Sequence, residues 1–222
     1  MKQIQSSLVY HVIPPAIEKP GLPYPTVVLL HGRGTDENDL LGLASYLDKR
    51  LLLVSVRAPH PFTVGAGYAW YEVLEVGTPA AKQFAESYDR LSSFLKDIRR
   101  EYPIDPSRLY LLGFSMGTVM AYAIALTKPE IVNGVVAHSG YVPENSGLKF
   151  RLDNLGPLSV FIVHGLHDPV IPVSFARRAK ELLSQTSTRL TYREYPIGHS
   201  VSEESIRDVV RWLSERIDGR ER

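Results

Sequence analysis

Three short stretches of this 222-residue chain carry residues that could cooperate in attack on a carbonyl group. The first, Gly113-Phe114-Ser115-Met116-Gly117, sets a serine between glycines two positions before and two after it. On a very tight strand-to-helix turn, side chains at those two positions would collide. The turn also holds the hydroxyl at a helix N-terminus, where backbone N–H groups point at whatever the serine attacks. A serine hydroxyl is a poor nucleophile at neutral pH unless a positioned base removes its proton. His199, in Pro196-Ile197-Gly198-His199-Ser200, is a candidate base, and Gly198 gives its loop room. Asp168 lies in a turn closed by Pro169 and Pro172, a suitable place to hold a carboxylate still. Each residue alone also has an ordinary reading: a glycine-rich turn, an Asx-turn aspartate, a capping or buried histidine. Each of the three, however, follows its own strand pattern. Together they assign attack to Ser115, proton transfer to His199, and imidazole orientation and charge stabilisation to Asp168.

A tetrahedral intermediate also needs donors for its oxyanion. The Met116 backbone N–H, directly after the serine, is one candidate, and the Arg33 N–H in His31-Gly32-Arg33-Gly34 is the other. Losing one such donor typically costs on the order of 10²–10³ in rate. His31 is expected to brace that loop. His164 and His167 flank the acid turn, but no third ligand accompanies them, so no metal site is expected.

Residues 8–13 alternate loosely before Pro14-Pro15 and read as an early edge strand. Residues 20–25 read as a proline-rich turn, and 26–30 as a buried strand that delivers the chain to the His31 loop. A helix capped by Asp36 or Asn38 is expected to carry Leu40, Leu41 and Leu43, ahead of another apolar run at 51–56. The loop that follows holds Phe62, Tyr68, Trp70 and Tyr71. Such rings either pack a loop down or line a ligand pocket, and these four are candidate substrate-binding residues.

Phe84, Tyr88, Leu91, Leu95 and Ile98 recur at three- and four-residue intervals, the mark of an amphipathic helix ending near Tyr102-Pro103. Asp105-Pro106-Ser107-Arg108 then turns the chain into the strand before Ser115. Residues 116–126 are small and apolar nearly all round, as in a helix buried against a sheet. Strands at 131–137, 158–164 and 189–195 and helices at 175–183 and 202–217 complete the pattern. Residues 141–156 are too short for a separate cap. Alternating strands and helices of these lengths predict an α/β architecture, a mostly parallel sheet covered on both faces, in one domain over 1–222.

Composition narrows the partners. Twenty-five basic residues against 24 acidic give a formal net charge of +1, which supplies no electrostatic reason for binding nucleic acid or an anionic membrane. With no cysteine, thiolate nucleophiles, disulfides and cysteine metal sites are excluded. The first seven residues lack the apolar core of a signal peptide, and no run of about 18 apolar residues could span a bilayer. A cytoplasmic protein is the expectation. Apolar surface around the aromatic loop is open to use as a pocket or as a homodimer interface.

The stretches Leu30-His31-Gly32-Arg33-Gly34, Gly113-Phe114-Ser115-Met116-Gly117, His164-Gly165-Leu166-His167-Asp168-Pro169-Val170-Ile171-Pro172 and Gly198-His199 together resemble the phospholipase/carboxylesterase family, from about Val27 to the last helix. The order Ser115, Asp168, His199 is also that of α/β-hydrolases. The resemblance implies a cap-less α/β-hydrolase that cleaves carboxylic esters without a cofactor, its substrate a small acyl ester of short to medium chain length. A lysophospholipase or acyl-protein thioesterase is the alternative within the family. A non-catalytic ligand-binding α/β-hydrolase is the alternative outside it. Two positions depart from the family: Met116 stands where glutamine is common and Arg33 where leucine is common. Both proposed donors are backbone groups, so the departures bear on substrate choice. Arg33 brings a cation to the rim of the site, unless Asp36 or Glu37 neutralises it.

Overall fold

The computed structural model describes residues 5–17 and 21–219; residues 1–4 of the N-terminal stretch and Pro20 of the expected turn lie outside them. In chain order the elements begin with β1 (Tyr10–Ile13), β2 (Tyr24–Leu30), a 3₁₀ turn (Asp39–Leu43) and β3 (Leu52–Val56). Four short strands follow, β4 (His60–Pro61), β5 (Tyr68–Ala69), β6 (Val73–Glu75) and β7 (Thr78–Pro79). Then come α1 (Ala81–Glu101), β8 (Ile104–Phe114), α2 (Met116–Thr127), β9 (Gly134–His138), β10 (Ser159–Gly165), α3 (Val173–Ser184), β11 (Arg189–Tyr195) and α4 (Glu203–Ile217).

Seven strands form one sheet in the order β1-β3-β2-β8-β9-β10-β11. All neighbours are parallel except the edge pair β1–β3. Because side chains alternate across a strand, each central strand feeds two cores. Val28 and Leu30 of β2 join the core under α1, α2 and α3, while Val27 and Leu29 join the one under α4 and the 3₁₀ turn. The nearly uniform apolarity of α2 has a simple cause: it lies against β2, β8 and β9 on one side and α1 on the other. Its residues from Met116 to Leu126 are all buried.

The expected helix at Leu40 is only that five-residue 3₁₀ turn, with Gly42 inside it lowering helix propensity. Neither expected cap forms: Asn38 makes no side-chain cap bond, and Asp36 Oδ1 instead accepts from the Asn38 N–H at 2.8 Å, closing an Asx turn. Nor does Asp105–Arg108 end before the strand. It is absorbed into β8, where the pairing jumps from Tyr24↔Ile104 to Thr26↔Leu109. Asp105 holds that bulge by accepting from the Ser107 N–H (2.8 Å) and from Arg108 Nε (2.7 Å). No helix or strand lies between β9 and β10.

Candidate active site

The central strand β8 runs straight into Ser115, whose backbone stands at φ 55° and ψ −118°, a strained conformation for a residue with a side chain. The flanking glycines make that turn possible, each against a different neighbour. A Cβ on Gly113 would lie 2.4 Å from the Thr118 nitrogen, and one on Gly117 would lie 1.9 Å from the Leu30 carbonyl oxygen at the end of β2. The Ser115 N–H donates to the His138 carbonyl at 3.0 Å, which ties the elbow to the end of β9. Thr118 Oγ1 sits 2.7 Å from both the Gly113 and His138 carbonyls and holds the same junction from the helix side.

Two strands further along, β10 ends before the turn that carries Asp168. Oδ1 of Asp168 accepts from the backbone N–H groups of Val170 and Ile171, both at 2.9 Å. Oδ2 lies 2.7 Å from His199 Nδ1. Burial alone would raise the pKa of this carboxyl; the His199 bond and the two backbone donors outweigh it and hold the group below the usual range. The carboxylate makes Nδ1 of His199 the proton carrier and leaves Nε2 as the ring's acceptor. Phe114 packs against the His199 ring with centroids 5.0 Å apart.

Behind the carboxylate, buried His164 donates from Nε2 to the Ile171 carbonyl at 2.8 Å, with Asp168 Oδ2 3.4 Å away. Its Nδ1 is buried without a partner, so a proton there would be an unmet donor; burial also lowers its pKa, and the ring is neutral. His167 is exposed, so the two histidines of this turn diverge. His138 is fully enclosed between Ser139 Oγ (3.0 Å from Nδ1) and Ser205 Oγ (3.3 Å from Nε2), and burial pushes its pKa down to about 3.

His31 braces the loop after β2. Its Nε2 accepts from the Ala58 N–H at 2.9 Å, so Nδ1 carries the proton and donates to the Gly32 carbonyl at 2.6 Å. Burial lowers its pKa and keeps it neutral.

A cavity of about 440 Å³ is lined by Ser115, His199, Gly32, Arg33 and Met116 together with Phe114, Tyr71, Tyr141, Val73, Val76, Val170 and Ile171. All three proposed catalytic side chains and both proposed oxyanion residues thus meet at one place: Ser115, His199, Arg33 and Met116 line the cavity, and Asp168, the fifth, holds His199 from behind. The aromatic loop is a different matter. Of its four rings Tyr71 lines the cavity, and Phe62, Tyr68 and Trp70 do not. Trp70 is wholly buried, and its indole N–H donates to the His31 carbonyl at 3.0 Å, making it a strut beneath the loop. The Tyr68 ring lies under Arg57, 4.5 Å from its Cζ, and Phe62 lies under Arg33 at 5.4 Å. Among the described side chains of residues 62–76, Val64 and Val76 are the exposed large apolar ones.

Sequence reasoning missed Tyr141, Val170 and Ile171 as cavity residues. Val170 and Ile171 were legible only as neighbours of the acid turn. Tyr141, three residues past β9, carried no signal of its own. None of the described helices is long and apolar enough to cross a membrane.

Residues 14–217 match the family described as Phospholipase/Carboxylesterase. Acyl-protein thioesterase 1 of Candida albicans is 27% identical over 213 residues, covering 86% of this chain and 92% of that protein. Its namesake from Debaryomyces hansenii is 30% identical over 166 residues, covering 70% and 71%. Among solved structures, the carboxylesterase of Bacillus cereus superposes with a TM-score of 0.82 at 24% identity, covering 94% of each chain, which shows the α/β-hydrolase fold.

Proposed function

The chain belongs to the phospholipase/carboxylesterase family and is a carboxylic ester hydrolase, and from that premise we propose that it is a serine esterase for short- to medium-chain acyl esters, acting through Ser115, His199 and Asp168. One observation carries the reading: a strained, cavity-facing serine shares its cavity with a histidine whose far nitrogen is pinned by a buried carboxylate at 2.7 Å. In the proposed cycle Ser115 Oγ attacks the acyl carbonyl while His199 Nε2 takes its proton. The alkoxide leaves with that proton, and an acyl-enzyme remains. Water then attacks, deprotonated by His199; collapse breaks the bond to Ser115 Oγ, which takes that proton back from His199 as the acid departs. Asp168 stabilises the imidazolium at each stage.

The oxyanion is assigned to the N–H groups of Met116 and Arg33. Met116 opens α2, where helix geometry leaves an N–H without an intrahelical acceptor. In the loop after β2, the Gly34 N–H is committed to the Tyr68 carbonyl at 2.8 Å, which favours Arg33 over its neighbour. Apolar walls at Val73, Val76, Val170 and Ile171 suit an acyl chain.

Hydrolysis of 4-nitrophenyl esters from acetyl to palmitoyl, with palmitoyl-CoA alongside, tests the proposal in wild type and Ser115→Ala. A short-chain optimum that disappears in the variant is expected. The relatives named acyl-protein thioesterases favour a second reading, because the same oxyanion chemistry serves thioesters. Preference for palmitoyl-CoA or a profile rising through palmitoyl would support it. Absence of serine-dependent turnover would return the chain to a binding role.

A further inference from the structure

We propose that the Arg33 side chain forms an anion subsite at the mouth of the cavity, so that the preferred substrates are esters carrying a free carboxylate, such as monoesters of dicarboxylic acids. The inference rests on the esterase reading and names its substrate class.

Arg33 is exposed, lines the cavity together with Ser115 and His199, and forms no ion pair with a carboxylate among the described residues. The acids nearest in sequence are already engaged. Glu37 is buried and accepts two bonds from Arg57, at 2.5 and 2.6 Å. Asp36 accepts from the Asn38 backbone. Neither Asp36 nor Glu37, the neutralising partners raised by the sequence, forms an ion pair with Arg33.

The backbone beneath the guanidinium is held firmly. The Gly34 N–H bonds to the Tyr68 carbonyl at 2.8 Å, and Gly67 approaches so closely that a Cβ on it would stand 2.5 Å from the Gly34 oxygen. Phe62 supports the guanidinium from one side through its ring face, 5.4 Å from Cζ. What remains is a planar, always-charged fork beside an otherwise mostly apolar cavity, the group best shaped to take a carboxylate through two N–H donors. Asp39 lines the same cavity, and its Oδ2 accepts from the Thr35 hydroxyl at 3.3 Å, which leaves its negative charge in place. Its presence favours a single negative charge near Arg33 over a phosphate dianion, and it makes the sign of the preference testable.

Two matched pairs place the anion in either half of the substrate: 4-nitrophenyl hydrogen adipate against 4-nitrophenyl methyl adipate, and 4-acetoxybenzoate against its methyl ester. The readout is the ratio of kcat/KM for acid over methyl ester, which cancels any general damage to the loop. In wild type the ratio exceeds one for at least one pair and falls as salt is added to about 0.5 M. Arg33→Met lowers it by about tenfold, the scale of a hydrogen bond to a charged group, with KM carrying most of the change. Arg33→Glu inverts it, and Asp39→Asn raises it.

A ratio that Arg33→Met leaves within about twofold of wild type overturns the proposal. So does a preference for a choline ester over its neutral isostere, which would give Asp39 control of the charge preference. Calorimetry on Ser115→Ala protein separates this failure from failure of the esterase reading. Monomethyl adipate should bind more tightly than dimethyl adipate, and Arg33→Met should erase the difference even if no ester is turned over. Equal binding of the two would sink the subsite by itself.

Discussion

Ser115 and His199 serve the proposed chemistry only as a unit, because the hydroxyl gains its reactivity from the ring and the ring its orientation from Asp168. Ser115→Ala and His199→Ala should each remove most turnover, and the double variant should lose little more. Additive losses in single-turnover assays would mean that the roles are misassigned. The neutral buried histidines make a second statement, about stability. The pKa of His138 falls from 6.5 in the unfolded chain to about 3 in the fold. Between those values the unfolded chain binds a proton that the folded one refuses, so stability declines as pH falls from about 6.5 toward 3. His31 and His164, also lowered by burial, push in the same direction. Asp168 has the depressed pKa of a bonded carboxylate: its contribution is present above its unfolded value and lost as pH falls through the folded one. His138→Gln, which can keep a bond to Ser205 or Ser139, should flatten the dependence of unfolding free energy on pH by up to ~1.4 kcal/mol per pH unit. Urea denaturation at several pH values between 4 and 6 measures that slope, and an unchanged slope would contradict a neutral His138.

At the level of elements, the elbow depends on how closely α2 and β2 approach it. Gly117→Ala would drive a methyl group into the Leu30 carbonyl, 1.9 Å away, so β2 and α2 must separate. A loss on the order of 3 kcal/mol and disappearance of turnover are expected. Gly42→Ala is the contrasting substitution: nothing lies within 4 Å of its Cβ. It should change stability by no more than about 0.5 kcal/mol, with the gain or loss set by the unfolded chain. Thermal denaturation of the pair, alongside ester hydrolysis, decides whether close approach is the reason for the Gly117 position. Equal behaviour of the two variants would remove that reason.

For the molecule as a whole, the two cores are unequally covered, by three helices on one face and by α4 with the 3₁₀ turn on the other. Trp212 of α4 therefore carries much of the thinner side. It stacks on Phe161 at 5.9 Å, meets Tyr110 edge-on at 6.2 Å, and lies under the Arg216 guanidinium at 3.6 Å. Trp212→Ala should cost about 3–5 kcal/mol in denaturant unfolding. Its kcat/KM should stay near wild type well below the melting temperature, since the catalytic elbow, acid turn and oxyanion loop do not rest on this ring. A large loss of kcat/KM under those conditions would show α4 to be coupled to the site.

The sequence by itself determined what is written in short-range rules. Apolar runs and helical spacing set the strand and helix order, and the residue types after three of those strands marked Ser115, Asp168 and His199 as candidates, because the proposed chemistry depends on local turn geometry. Tertiary structure alone decided which aromatic rings face the cavity. Trp70 and Tyr71 are adjacent and both buried, yet a hydrogen bond to the distant His31 carbonyl takes one of them under the loop and leaves the other at the cavity wall. The bulge at Asp105–Arg108 was equally illegible, because it arises from the register between β2 and β8. So were the neutral states of His138 and His164, which follow from enclosure by segments far apart in the chain. The charge of Arg33 was visible from its letter, but its freedom was not. That depended on Arg57, twenty residues from Glu37, taking the neighbouring acid first.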